Sequence, residues 1–248
     1  MSDDTPPSLS RRTLLAGAAL LAAMRGSHAH AEKGPAMKHV VLLGDSIFDN
    51  AAYVDGGPDV VEQLRAALPD GWQASLGAID GSTTADVKRQ LADLPKGATH
   101  LVVSVGGNDA LGHEEILEAS ADSVGEALDL LATVRAAFAE RYAAMLDAVA
   151  ATKLPVALCT IYDSNYEDAD RRRIGNTGLT LFNDVITREA FARGVPLIDL
   201  RLIFDSPKDY ANPIEPSVTG GAKLAKVIAQ AVTTHDFTKG PSVVFARP

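Results

Sequence analysis

The sequence predicts an α/β domain built on a parallel sheet, and three observations carry that reading. Short apolar runs alternate with longer amphipathic segments, the pattern left by successive βαβ units. Three polar motifs each stand immediately after one of those apolar runs, where a parallel sheet gathers its ligand-binding loops. The chain shows no internal repeat, low-complexity linker or second-domain boundary.

Taken in order, the apolar runs place strands at 39–43, 73–79, 100–105, 155–161 and 196–200. Amphipathic spacing places helices at 60–68, 84–94, within the Ala-rich stretch 123–151, at 180–193 and at 218–233. The segment 162–178, "YDSNYEDADRRRIGNTG", is polar and aperiodic, so it is expected as a loop over the functional face. The closing "HDFTKGPSVVFARP" reads as an appended tail whose "SVVF" adds at most an edge strand.

Residues 1–31 read as an export leader and are set apart from the fold. Arg11 and Arg12 precede an apolar stretch, and "AHA" closes it at Ala31, the order of a twin-arginine signal peptide. The apolar stretch falls short of the roughly 20 residues that span a bilayer, so no lasting membrane insertion is expected after cleavage. A periplasmic or secreted protein follows, with residues 32–248 as its one domain.

The formal charge is −9, and it grows more negative once the leader's three arginines and two aspartates are gone. Nucleic-acid and anionic-membrane partners are thereby disfavoured. The single cysteine, Cys159, lies in the apolar run "LPVALCTIY", which excludes a CxxC redox or zinc site.

The three rim motifs are "GDSIFDN", "DGSTT" and "GGNDA". Acyl transfer needs a hydroxyl nucleophile and N–H donors aimed at the oxyanion that forms. Ser46 supplies the hydroxyl and one backbone N–H, Gly81 a second N–H, and Asn108 a neutral side-chain amide. Each motif alone also fits a tight strand-to-helix turn with a cap; the three in this order favour the site.

Those motifs, in that order and spacing, resemble the first three sequence blocks of the SGNH hydrolases, the GDSL esterase and lipase family, over residues 38–229. The resemblance implies a three-layer α/β/α fold with a five-stranded parallel sheet, flavodoxin-like in plan, and hydrolysis of ester-type bonds. It makes Ser46 the nucleophile, with Gly81 and Asn108 completing the oxyanion hole. No GxSxG elbow is present, which disfavours the ordinary α/β-hydrolase fold.

The last block departs from the family. Asp-x-x-His is usual there, whereas "YANPIEPSVTGGAKLA" puts Asn212 at the Asp position and Glu215 at the His position. Other histidines are badly placed: at about 3.3 Å per strand residue, His39 and His100 should lie more than about 20 Å from the rim. His235 follows the last helix, roughly 25 Å from Glu215 at 1.5 Å per residue. Only His113 is on the correct side, and a loop movement would be needed to bring it in.

The two replacements make a coherent pair. An Asn/Glu pair rests at one negative charge, as Asp/His does, and becomes neutral on taking the serine proton. Asn212 is expected to hold the Glu215 carboxylate through its amide N–H. A carboxylate near 4.3 is a weak base, so burial or crowding by Asp45 and Asp80 is needed to raise it.

The expected function is therefore hydrolysis of a small-molecule or glycan ester, with Ser46 attacking and Glu215 as base, assisted by Asn212. A rival reading is a binding protein for an acylated envelope glycan that has lost turnover. A third is a metal-dependent hydrolase using Asp45, Asp49, Asp80, Asp109 and Glu215; their spacing matches no metal motif, so neither metal nor cofactor is expected. Oligomeric state is not readable from the sequence.

Overall fold

Lys38–Gly44 forms β1, an interior strand of the sheet. Its side chains serve both faces: Val40 and Leu42 pack into one apolar cluster, Val41 and Leu43 into another. A strand buried on both sides needs helices above and below, hence three layers. The computed structural model describes Met1, residues 37–238 and residues 241–247; the expected leader lies outside the described residues.

Following β1 in chain order are helix α1 (Val60–Ala67), β2 (Trp72–Leu76), α2 (Val87–Ala92), β3 (His100–Ser104) and α3 (Gly107–Leu111). Then come α4 (Val124–Ala151), β4 (Val156–Cys159), α5 (Ala169–Ala192), β5 (Leu197–Ile198) and α6 (Leu200–Ile203). A hairpin, β6 (Tyr210–Asn212) and β7 (Glu215–Pro216), leads into α7 (Val218–Thr234), and β8 (Val244–Phe245) closes the chain. The sheet order is β2-β1-β3-β4-β5-β8, with every pairing parallel.

Helices α1 and α7 cover one face through Val60, Leu64, Leu224 and Ile228. Helices α4 and α5 cover the other through Phe138, Tyr142, Val185 and Ile186. Among the described residues, no helix is long and apolar enough to cross a membrane.

Three expectations need correction. The sheet has six strands rather than five, because the tail returns as β8 beside β5, with Leu197 opposite Val244. The expected loop 162–178 is helical from Ala169, where the Asp168 side chain accepts the Arg171 N–H at the helix start. The apolar face of α5 begins to reach the core only near Phe182. Its first turns are held instead by caps and by pairs such as Arg173–Asp170, which leave no periodic apolar signal.

Strand β2 also ends sooner than expected. Beyond Leu76 the chain stays beside β1 irregularly, with Gly77 N–H and Ala78 N–H both donating to the Leu42 carbonyl.

Candidate active site

In a sheet of order 2-1-3-4-5, the crevice opens where the order reverses, between β1 and β3. The register sets Gly44 opposite Ser104 at the carboxyl ends of those two strands. Ser46 comes two residues later on one, Asn108 four residues later on the other, so both arrive at the same rim.

The strands approach so closely there that Gly44 admits no side chain. Its φ is +130°, and a Cβ would stand 1.7 Å from the Ser104 carbonyl oxygen. Gln90 on α2 fixes the turn from the side: its Oε1 accepts the Gly44 N–H and its Nε2 donates to the Gly44 carbonyl, both at 2.8 Å. The same Nε2 reaches Ser82 Oγ at 3.2 Å, joining the first motif to the second.

Asp45 organises the turn from within. Its N–H donates to Ser104 O and its Oδ1 accepts the Ile47 N–H, both at 3.2 Å. The buried carboxyl is pushed up to about 8, by desolvation first and by the charges of Glu215 and Asp109 after it. Burial therefore favours its protonated form beside Glu215.

Ser46 itself is buried. Its side chain shares the cleft with the Glu215 carboxylate, which is buried on β7 and whose Oε2 has no hydrogen-bond partner. Desolvation, aided by the charge of Asp80, pushes the Glu215 carboxyl up to about 7, against the opposing pull of the neighbouring Ser46 side chain. A base of that strength matches a reaction near neutral pH.

Glu215 is held from both sides. Asn50, at the end of the "GDSIFDN" motif, donates from Nδ2 to the Pro216 carbonyl at 3.1 Å, while its Oδ1 accepts the Val60 N–H at 2.9 Å. The Tyr162 hydroxyl, three residues past β4, donates to the Ile214 carbonyl. Sequence reasoning missed Gln90, Asn50 and Tyr162. Asn50 lies inside a motif already singled out, and Tyr162 lies on the rim, but neither residue type signals its backbone partner.

The donors for an oxyanion are present. Among the described residues, the Ser46 and Gly81 backbone N–H groups make no internal hydrogen bond. Asn108 spends one amide N–H on Ser82 O at 2.9 Å and retains the other. Gly81, φ +77°, is exposed beside that tethered Ser82 and stands outside the residues that line the cleft. Ser46, Asn108 and Glu215 line it together. Asp109 is turned to structure: its carboxylate accepts the Thr84 N–H and hydroxyl at 2.9 and 2.8 Å, locking the third motif to the second.

Asn212 does not do what was expected of it. It pairs with Glu215 in the hairpin register, but its side chain is exposed and its Oδ1 accepts the Ile214 N–H at 2.9 Å. A tight turn recruits an Asn oxygen in this way. Among the described residues, its amide makes no hydrogen bond to the Glu215 carboxylate.

His113 lines the same cleft, yet its Nε2 faces the Arg141 guanidinium at 3.2 Å. Arginine only donates, so that nitrogen is the acceptor and its lone pair is engaged away from Ser46. The other described imidazoles sit elsewhere: His39 on Ser75, His100 against Trp72, His235 against Phe237. Among the described residues, no group of three or more His, Cys, Asp or Glu is placed to hold a metal ion.

A three-layer α/β/α fold with a serine, a buried carboxylate and free N–H donors at its rim is the setting of a hydrolase of ester-type bonds. The family model of the GDSL-like Lipase/Acylhydrolase family matches residues 42–222, and the chain belongs to that family. Among solved structures it resembles an extracellular lipase of Streptomyces rimosus, with 20% identity and a TM-score of 0.58, covering 79% of this chain and 100% of that one. A phospholipase A1 of Streptomyces albidoflavus matches at 17% identity and TM-score 0.56, covering 80% and 100%. A variant acetyl xylan esterase of Geobacillus stearothermophilus matches at 18% identity and TM-score 0.55, covering 81% and 97%. At such identities these likenesses concern the fold. No curated protein matches the sequence.

Proposed function

We propose that this chain cleaves an ester or O-acyl bond by covalent catalysis at Ser46, with Glu215 in the place of the family histidine as general base. The observation that carries the reading is that Ser46 lines one cleft with a buried carboxylate, Glu215, whose pKa burial raises to about 7. In the proposed cycle, Ser46 Oγ attacks the carbonyl carbon as its proton passes to Glu215. The oxyanion accepts from the Ser46 and Gly81 N–H groups and the Asn108 amide. On collapse, protonated Glu215 returns the proton to the departing alcohol, leaving an acyl-serine. Water then attacks that acyl group, giving its proton to Glu215; on collapse the acyl–Oγ bond breaks, Ser46 takes that proton back and the carboxylic acid leaves.

Small-molecule or glycan esters are the proposed substrates; the fold neighbours include a lipase, a phospholipase and an acetyl xylan esterase. The twin-arginine leader supports a proposed periplasmic or secreted location, which the N-terminal mass of the protein recovered from the producing cell checks. Hydrolysis of p-nitrophenyl esters by the wild type, Ser46→Ala and Glu215→Gln tests the chemistry. Both variants should lose most of the turnover, by about 10²-fold or more for the base. Equal rates in all three reject the assignment, and ligand binding without turnover in the wild type favours a binding protein on the same fold.

A further inference from the structure

The cleft beside Ser46 is mainly apolar, with Asp45, Ser46, Asn108 and Glu215 among its polar lining. Ser104, His113, Glu114, Ser164 and Tyr166 also reach its wall, but a continuous apolar stretch is formed by Leu111 on α3, Leu131 and Val134 on α4, and Leu179 and Phe182 on α5. It has room for about 140 Å³. An apolar cavity of about 150 Å³ accommodates a molecule the size of benzene, that is, about six carbon atoms.

Two further lining residues, Gly175 and Gly178, lie within α5. Glycine is the poorest helix former after proline, so two of them one turn apart weaken the helix. Backbone crowding does not require them, since a Cβ added at either meets nothing within 4 Å. The open space that those side chains would enter is the cleft itself. The geometry therefore gives up helix propensity at the positions where side chains would fill the slot.

We propose that this slot takes the acyl tail of the substrate, a straight aliphatic chain of about six carbons, and that Gly175 and Gly178 set its length. The proposal rests on Ser46 being acylated by an ester, and it assigns the two sides of that ester. Glu215 hands the proton to the leaving alcohol, and beside it are the charge of Asp80 and the Tyr53 hydroxyl that donates to Asp80. Neither residue lines the slot. The alcohol thus leaves by the polar, exposed side, and the acyl tail lies against α4 and α5. Glu215, with its unpartnered Oε2, stands at the junction.

Ethyl acetate, ethyl hexanoate, ethyl decanoate and hexyl acetate, followed by pH-stat on the full chain, test this. For wild type, kcat/KM should rise by up to about fourfold per methylene from acetate towards hexanoate, with no further gain at decanoate. Ethyl hexanoate should exceed its isomer hexyl acetate; the reverse order would put the alcohol in the slot and overturn the proposal. In Gly178→Leu the hexanoate-to-acetate ratio should fall about tenfold or more, without loss of thermal stability. An unchanged ratio overturns it.

Calorimetric binding of hexanamide and acetamide separates the slot from the chemistry. Hexanamide should bind more tightly than acetamide to wild type and to Ser46→Ala, and should lose that advantage in Gly178→Leu. A wild type that hydrolyses no ester yet shows this pattern would reject the catalytic reading and keep the slot. Equal binding of the two amides would reject the slot.

Discussion

Gln90 grips Gly44 at both its N–H and its carbonyl, each at 2.8 Å, and so holds the end of β1 two residues before Ser46. Gln90→Leu leaves the buried Gly44 N–H unpaired, at about 1–3 kcal/mol, and leaves the Gly44 carbonyl with only the Ile79 N–H. A lower urea midpoint is expected, together with a fall in kcat. Gln90→Glu should be intermediate, because a carboxylate still accepts the Gly44 N–H but cannot donate to the Gly44 carbonyl. A midpoint unchanged in both variants would show that the clamp contributes nothing to the turn.

The Glu215 carboxyl sets the pH range of the proposed reaction. A base must be ionised to accept the Ser46 proton, and this one is raised to about 7 by burial. The kcat/KM profile should therefore rise with pH up to about 7 and level off above it, dropping about tenfold per unit on the acid side. In Glu215→Gln that limb should disappear along with most of the rate. A limb that survives the substitution would assign the proton to another group, with His113 the first to test.

Stability should depend on pH in the opposite direction to activity. Asp45 and Glu215 have folded pKa values raised to about 8 and about 7, from ordinary values of 3.8 and 4.5. Between those limits the folded state binds protons that the unfolded state has released, so ΔG of unfolding falls as pH rises. Their contribution is complete below about pH 4 and is lost as pH climbs through 7 and 8. The melting temperature should decline from pH 5 to pH 9, and Asp45→Asn should flatten that decline. A melting temperature that rises over this range in the wild type would contradict the burial of these carboxyls.

The parts of the molecule visible in the sequence are those that repeat a local pattern. The β1 run "KHVVLL" and the three rim motifs were legible because apolar runs and turn residues are neighbours in sequence. Glu215 was legible as an oddity, a carboxylate where a histidine was expected, but its strength depends on burial, which no spacing encodes. The clamp of Gln90 on Gly44 spans 46 positions, and the Tyr162–Ile214 contact spans 52. Such pairings exist only once the layers have packed. Asn212 misled for the converse reason: its amide N–H suggested a donor to the Glu215 carboxylate, while the turn needed its oxygen locally.

Asn50 links the nucleophile motif to the base, and its loss should separate activity from binding. Its side chain is fully buried, donating to Pro216 O at 3.1 Å and accepting the Val60 N–H at 2.9 Å. Asn50→Ala removes both partners, at a stability cost of about 1–3 kcal/mol for each buried group left unpaired. It also frees the residue after Glu215, so the carboxylate is no longer fixed against Ser46. Misplacing a reacting group lowers the rate far more than the affinity. The expected result is a kcat lowered by about tenfold or more with KM little changed, and an acid limb still near 7, since the base itself remains. Asn50→Asp is the sharper probe: it retains an acceptor for Val60 but turns a carboxylate towards the Pro216 carbonyl, so kcat should fall further than in the alanine variant. Equal kcat in wild type and both variants would mean that β7 holds Glu215 in place without help from the nucleophile loop.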